Sequence, residues 1–472
     1  MTGLLVSLFL PWIAGSTWLW RTWRTANLPA VLGYGYLLGI LAVTVLIRLW
    51  HVAGLELDFW SLAAVLALFA ALPLLLPGPS RRESPRRGEP PWPWWRAENL
   101  IFAFFLVLVA LRFGSILLDN VYRPLFSWDA WMNFAPKARV WFELGEIAPY
   151  ASQKDWLRGA SLEGAFTLGN WQGWDYPATV PLVMLWTALG LDAWHDDLIK
   201  LPWVFVGAAL GLAAYGQFRH FGISRHIAMV LVYLLLSIPY VNVHMVLGGY
   251  ADLWLATALC LGLLALMRWT TTGDKADLIL ALLFATFCFL IKKPGVIWGG
   301  LLLVSTGLAM LPRRITLVLG GLFATAAAAL WIAGGIDITL PAMGRLRIDA
   351  EGIAFPYLGQ RPLGFTDVSK VFVDSLFLSS NWHLFWYALV VMLPLGLAIN
   401  PERLRQAAPF LFIGASVAAF LFIFFMIPRY SREAADLTTL NRALLHLVPS
   451  LFVFAAWWLW LKPAGPAPPP EP

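Results

Sequence analysis

Apolar runs about 17 to 23 residues long recur through this chain with little between them. At 1.5 Å of rise per residue, each is close to the length needed to cross a roughly 30 Å hydrocarbon layer. In hydrocarbon every backbone polar group must be satisfied within the protein, so runs of this length predict helices. Candidate spans fall near 3–20, 28–50, 58–77, 99–118, 198–217, 226–243, 249–267, 277–292, 294–311, 314–333, 382–399, 407–427 and 443–461. The expected fold class is an all-α polytopic membrane protein of about 13 transmembrane helices. Composition agrees: 13% of the 472 residues are charged, against roughly 25% in soluble chains.

Charge placement then orients the spans. RTWRTAN, SRRESPRRGEPPWPWWRAEN, QFRHFGISRH, RWTTTGDKAD, PRR, NPERLRQ and Lys462 are the basic or mixed connections, and positive charge marks the cytoplasmic side. The formal charge of +6 is therefore a topology signal, and no nucleic-acid partner is expected. Arg21 and Arg24 follow the first apolar run, so that run reads as a retained span with its N-terminus outside. Residues 119–175, 244–252, 334–381 and 428–442 then face outward, as does the Lys292–Lys293 corner. Residues 176–192 are short and hold two prolines; a full span there would put Arg219 and Arg225 outside. A re-entrant or juxtamembrane helix fits better. The C-terminal PAGPAPPPEP reads as a disordered tail.

This topology gives the polar residues one address. FSWDAWMNFAPKARVWFELG, residues 126–145, places Asp129, Lys137 and Arg139 among six large aromatics. Pro136 is expected to split it into two short helices, with Lys137 starting the second. Asp252 begins the run after GGYA, Lys292 and Lys293 end another, and Arg429, Arg432, Asn441, Arg442 and His446 surround the last. Ionisable groups at membrane depth are costly, so each is a functional candidate. Bland alternatives stand beside these readings. The cations could snorkel to head groups, Asp252 could cap a helix, His446 could be a core histidine, and the aromatics an interfacial belt. Asp129, between Trp128 and Trp131, gains nothing as a belt residue.

Cys260 and Cys288 both lie in apolar runs and form no disulfide framework. No Walker loop, GxGxxG, GxSxG or HExxH occurs, and His195-Asp196-Asp197 reads as a polar loop. Cations near the membrane surface suit a lipid-linked phosphate as leaving group. A carboxylate suits an acceptor hydroxyl that must lose its proton. Together they describe sugar transfer from a polyprenyl-phosphate donor, with 334–381 (Phe355, Tyr357, Gln360, Arg361, Asp367) covering the cavity.

SWDAWMNFAPKARVWF, WDYPATVPL, GGYADLWLA, FLIKKPGVIW and NRALLHLVP occur in that order. On these segments residues 99–461 resemble the bacterial integral-membrane glycosyltransferases of the GT-C superfamily, the broad kind that includes dolichyl-phosphate-mannose-type and lipid A aminoarabinose transferases. The resemblance implies a GT-C-like bundle with juxtamembrane helices in the first large outer loop. It implies Asp129 as the catalytic carboxylate, with Lys292, Arg442 and His446 at the donor phosphate or lipid head; Lys293, beside Lys292, is a further candidate there. Asp252, Lys137, Arg139 and Tyr176 would support the substrate. At KKPG, Lys293 and Pro294 stand where the family pattern has Asn and Glu, so the metal question stays open: no cofactor is certain, and a divalent metal is possible. Residues 1–98 form an extra three-span segment, and 462–472 the tail. The expected function is inverting glycosyl transfer to an envelope glycan, lipid or protein on the outer face of the bacterial inner membrane. The alternatives are an O-antigen-type ligase or polymerase, which would lean on Arg429, Arg432 and Arg442, and a lipid or glycolipid transporter, which would show repeat symmetry.

Overall fold

The computed structural model describes residues 1–75, 95–340, 344–355, 359–437 and 439–460. Most of the basic loop 80–99, Tyr357 and the tail 462–472 lie outside the described residues. Within the described residues, each of the thirteen apolar runs is mainly helical. The first are α1 (Thr2–Thr22), α2 (Leu28–Val52) and α3 (Phe59–Ala71), then α4 (Ala97–Tyr122). Side-chain caps start two of them: Asn27 accepts from the Ala30 amide at 3.1 Å, and Asp58 from Ser61 at 2.7 Å, satisfying orphan donors of the first turn. Small residues let α1 and α2 pack backbone to backbone. A Cβ on Gly39 would stand 1.6 Å from the Pro11 carbonyl oxygen, the close approach that small-residue faces allow. Trp23 at the end of α1 donates to Asp277 at 2.7 Å, and α2 packs on a helix of the following segment. The three N-terminal helices thus share the core of the chain that follows.

The first long connection is ordered. A π-turn at Ala130–Phe134 runs into α5 (Ala135–Leu144), with Pro136 in its first turn and Gly145 closing it at φ +68°. Proline there forfeits only an amide that has no helical partner. α6 (Gln153–Leu157) follows, then α7 (Thr179–Leu191), almost wholly buried. Its thirteen residues span about 20 Å, too short to cross a roughly 30 Å layer.

Next come α8 (Pro202–His220), α9 (Arg225–Ser237) and α10 (Pro239–Val246). The run read as one span at 226–243 is broken: α9 and α10 meet at 67°. Ile238, held before a proline, takes ψ 120°, because the ring disfavours helical backbone one residue earlier. α11 (Asp252–Thr272) is buried on every side from Asp252 to Arg268, as the central helix of a bundle must be. It packs on α8, α12 (Lys275–Ile291), α13 (Gly295–Met310) and α19 (Leu440–Trp460).

α14 (Arg313–Ile332) leads into a part of the fold not expected. Within 334–381, β1 (Ile336–Leu340), β2 (Gly344–Ile348), β3 (Gly352–Phe355) and β4 (Gly359–Pro362) form an antiparallel meander in the order 1-2-3-4. Asp337 faces Arg347, and Ile353 faces Arg361. The chain keeps its mostly helical, all-α class, and this small meander is an addition to it: IDITL and RLRI alternate β-branched or aliphatic with polar residues, the period of a strand with one wet face. α15 (Ser369–Val373), α16 (Phe385–Ile399), α17 (Ala407–Met426) and α18 (Pro428–Ala435) complete the chain before α19.

Among the described residues, α1, α2, α4, α11, α17 and Leu440–Leu459 of α19 are long and apolar enough to cross a membrane. The bent pair α9–α10 makes a seventh if counted as one span. The chain is therefore a mostly helical protein with several membrane-length apolar helices.

Candidate functional site

The start of α11, the end of α12 and the start of α19 meet at one end of the bundle, and the first long connection is docked against them. The docking is local and specific. Ser127 donates its hydroxyl to the Gly248 carbonyl at 2.5 Å. Gly249 has φ +92°, and a Cβ there would lie 2.3 Å from the Ala130 methyl, so the turn before α11 needs glycine for both conformation and space. This brings Asp129, the residue before the π-turn, against Asp252, the first residue of α11.

Five predicted residues converge there. Asp252 is fully buried. Its Oδ1 accepts from Lys292 Nζ at 2.7 Å and from His446 Nε2 at 2.8 Å; its Oδ2 accepts from Arg442 Nη2 at 2.7 Å and Nε at 3.2 Å. Arg442 also holds Asp129, with Nη1 3.3 Å from Oδ1 and Nη2 on Oδ2. Lys292 stands 4.0 Å from Asp129. Arg442 and His446 share a helix face because they are four residues apart. One residue before Arg442, Asn441 accepts from Ser375 at 2.6 Å and from Trp382 at 3.2 Å, which ties α19 to the connection leaving the meander.

Two aromatics complete the arrangement. Trp298 Nε1 lies 3.3 Å from His446 Nδ1. Indole N–H can only donate, so Nδ1 must accept and the imidazole proton sits on Nε2, facing Asp252. The Arg442 guanidinium lies 4.5 Å from the Tyr250 ring centroid, a cation–π contact. Burial pushes the Tyr250 hydroxyl up from its ordinary value, so it stays protonated. With His446 neutral, the two carboxylates balance Lys292 and Arg442. The charges lie buried but matched, which is how such groups are tolerated.

The other predicted residues fall outside this cluster. Lys293 pairs with Asp175 and lies 4.9 Å from the Tyr176 ring. Lys137 is buried and donates to the carbonyls of Trp174 at 2.8 Å and Tyr176 at 3.4 Å. Burial lowers its ammonium to about 8. Tyr176 is raised well past the ordinary phenol range by burial first and by Asp129 second. Lys137 and Tyr176 therefore support the first connection, one layer behind the cluster. Arg139 is exposed and 3.8 Å from Glu143 on its own helix, with no contact to the cluster. Arg429 pairs with Glu433 at 2.9 Å and lies 5.9 Å from the Trp171 ring; Arg432 is exposed.

Trp298, Tyr250 and Asp175 were not anticipated. Each stands inside a segment already singled out, FLIKKPGVIW, GGYADLWLA or WDYPATVPL, but with 27 tryptophans and 12 tyrosines in the chain an aromatic there carries no signal of its own.

Among the described residues no group of three or more His, Cys, Asp or Glu is placed to hold a metal ion. The two carboxylates and His446 do not fit one either, since Arg442 and Lys292 occupy the oxygens a divalent cation would need. No protein-family model matches the chain, no curated protein matches it, and no solved structure matches it.

Proposed function

We propose that the chain is an inverting glycosyltransferase that moves a sugar from a polyprenyl-phosphate donor to an envelope acceptor. The observation that carries this reading is the sharing of Arg442 between Asp129 and Asp252 inside a buried, charge-balanced cluster. On the loop charges, that end of the bundle is the outer face of the bacterial inner membrane, and the helices are a GT-C-like set of about thirteen spans.

Without substrate, Arg442 saturates both carboxylates. A donor phosphate offers Arg442 and Lys292 a competing anion, and guanidinium binds phosphate with the same paired geometry it uses for carboxylate. Asp129 is the carboxylate released, because Asp252 keeps Lys292 and His446. The acceptor oxygen attacks the anomeric carbon while Asp129 takes its proton. The bond from that carbon to the phosphate oxygen breaks, and polyprenyl phosphate leaves with its charge on Arg442 and Lys292. One displacement inverts the configuration. No step passes through a metal.

The test compares purified wild-type and Asp129→Asn protein with a panel of polyprenyl-phosphate sugars, following release of the lipid phosphate. Loss of a general base predicts a fall of about 10²- to 10⁴-fold. Equal turnover by Asp129→Asn would remove Asp129 from the reaction. The ligase reading leans on Arg429, Arg432 and Arg442; of these three Arg442 joins the cluster, while Arg429 pairs with Glu433 and Arg432 is exposed.

A further inference from the structure

α4 differs from the other membrane-length helices. Of its 26 residues only Asn99, Ile116 and Asn120 are buried. Arg112, Ser115 and Asp119 fall three and seven residues apart and share one of its faces. They line a groove of about 540 Å³ between α4 and the bent pair α9–α10, together with Leu108, Leu111, Tyr233 and Asn242.

Arg112 is the unusual member. Its Nη1 donates to Asn242 Oδ1 at 2.7 Å, and its guanidinium lies 5.7 Å from the Tyr233 ring. Its Nε is buried with no hydrogen-bond partner. Asp119, the one carboxylate lining the groove, pairs instead with Arg123 at 2.6 Å. Seven residues separate Asp119 from Arg112, about 10 Å along the helix. Among the described residues, a positive charge well inside a helix with few buried residues therefore has only neutral hydrogen-bond and ring partners, where charges ordinarily pair.

We propose that this groove binds the phosphate of an anionic membrane lipid, with Arg112 as its cationic contact. Charge selects an anion, since Asn242 and Tyr233 bring none. Position selects a lipid: Leu111 is 65% exposed on the outward side of α4, so the groove opens where acyl chains would lie. Asn242 and Ser115 can hydrogen-bond phosphate oxygens, and Leu108 and Leu111 can flank the chain. Arginine's stem allows the head to meet it nearer the surface than its Cα lies. The site is separate from the cluster: α10 turns Asn242 to the groove, while its His244 ring lies 5.6 Å from Tyr250. The proposal does not depend on sugar transfer.

The full chain in detergent micelles is incubated with phosphatidylglycerol, phosphatidylcholine or inorganic phosphate, and bound lipid is counted by native mass spectrometry. The expected result is retention of one phosphatidylglycerol and little phosphatidylcholine. Arg112→Gln should lower retention about tenfold, the effect of one lost charge-assisted contact. Arg112→Lys should retain a part. Leu111→Trp, which fills the groove and leaves the cation in place, should also lose the lipid and decides the matter if Arg112→Gln does not fold. Arg442→Gln should retain it fully. Equal retention of the two lipids, unchanged retention in both Arg112→Gln and Leu111→Trp, or displacement by millimolar inorganic phosphate overturns the proposal.

Discussion

The two ends of α11 each carry a buried ion network, and they are built differently. At one end Arg268 donates to Asp277 at 3.1 Å and to Thr25 at 2.5 Å, while Trp23 and Thr272 donate to the same Asp277 at 2.7 and 3.1 Å. The charged pair comes from the α11–α12 hairpin, nine residues apart. At the other end Asp129, Asp252, Lys292 and the pair Arg442 and His446 come from four separate stretches of chain. Side-chain exposure separates them further: 0% for both Arg268 and Asp277, but 23% for Arg442 and 9% for Asp129. The first network is shut off from solvent: Arg268 pairs with Asp277, and Thr25 links it to a second carboxylate, Asp274, at 2.9 Å. The second has a shared cation with an open side. A clamp needs only enough partners to offset desolvation; a site needs a partner that can be exchanged.

Breaking the closed network should give the largest effect on folding. Asp277→Asn leaves the buried Arg268 without its paired carboxylate and is expected to cost about 3–5 kcal/mol. The double change Arg268→Met with Asp277→Leu should cost clearly less, since no lone charge remains. Thermal unfolding of both variants checks this. Turnover per folded molecule should stay near wild type in each; a selective loss of turnover would erase the distinction between the two ends.

A smaller effect sharpens the open side. Trp298→Phe removes the donor that holds the His446 tautomer and should cost about 1 kcal/mol in transition-state energy, a few-fold in rate. Nitrogen NMR of the imidazole should then show proton on both ring nitrogens in exchange. A single Nε2-protonated form in the variant would dismiss the role of Trp298.

Lys137 carries a pH signature. Its folded ammonium titrates at about 8, against an ordinary value of 10.5. Between those values the unfolded chain holds more protons, so stability rises with pH from about 8 to about 10.5. Below 8 the full burial cost is present. The gain across that window should be about 3 kcal/mol at most, and Lys137→Met should lack it. Parallel stability profiles for the two proteins would contradict the assignment.

Much of this was legible in the sequence. Long apolar runs report their own helices, because hydrocarbon length and backbone satisfaction leave few options. The kink at Ile238 was less visible, since SIPY sits inside an otherwise continuous run and only the proline marks it. The meander was hidden by its setting: strands of four or five residues are easily absorbed into a long loop. In the site, Asp129, Asp252, Lys292, Arg442 and His446 stood out because charge at membrane depth is rare. Which of two adjacent lysines turns inward was not legible. Lys292 leaves α12 in extended conformation at φ −156° and reaches Asp252, while Lys293 turns out to Asp175. That choice is made by the corner's backbone, not by residue type.

The central claim is that Arg442 exchanges a carboxylate for a lipid phosphate. Its most direct test is the thermal shift produced by polyprenyl phosphate alone in wild-type, Asp129→Asn and Arg442→Gln protein. If Arg442 makes that exchange, the unfolding temperature rises clearly for wild type, equally or more for Asp129→Asn, in which Arg442 is freed, and little for Arg442→Gln. An undiminished rise in Arg442→Gln would contradict it.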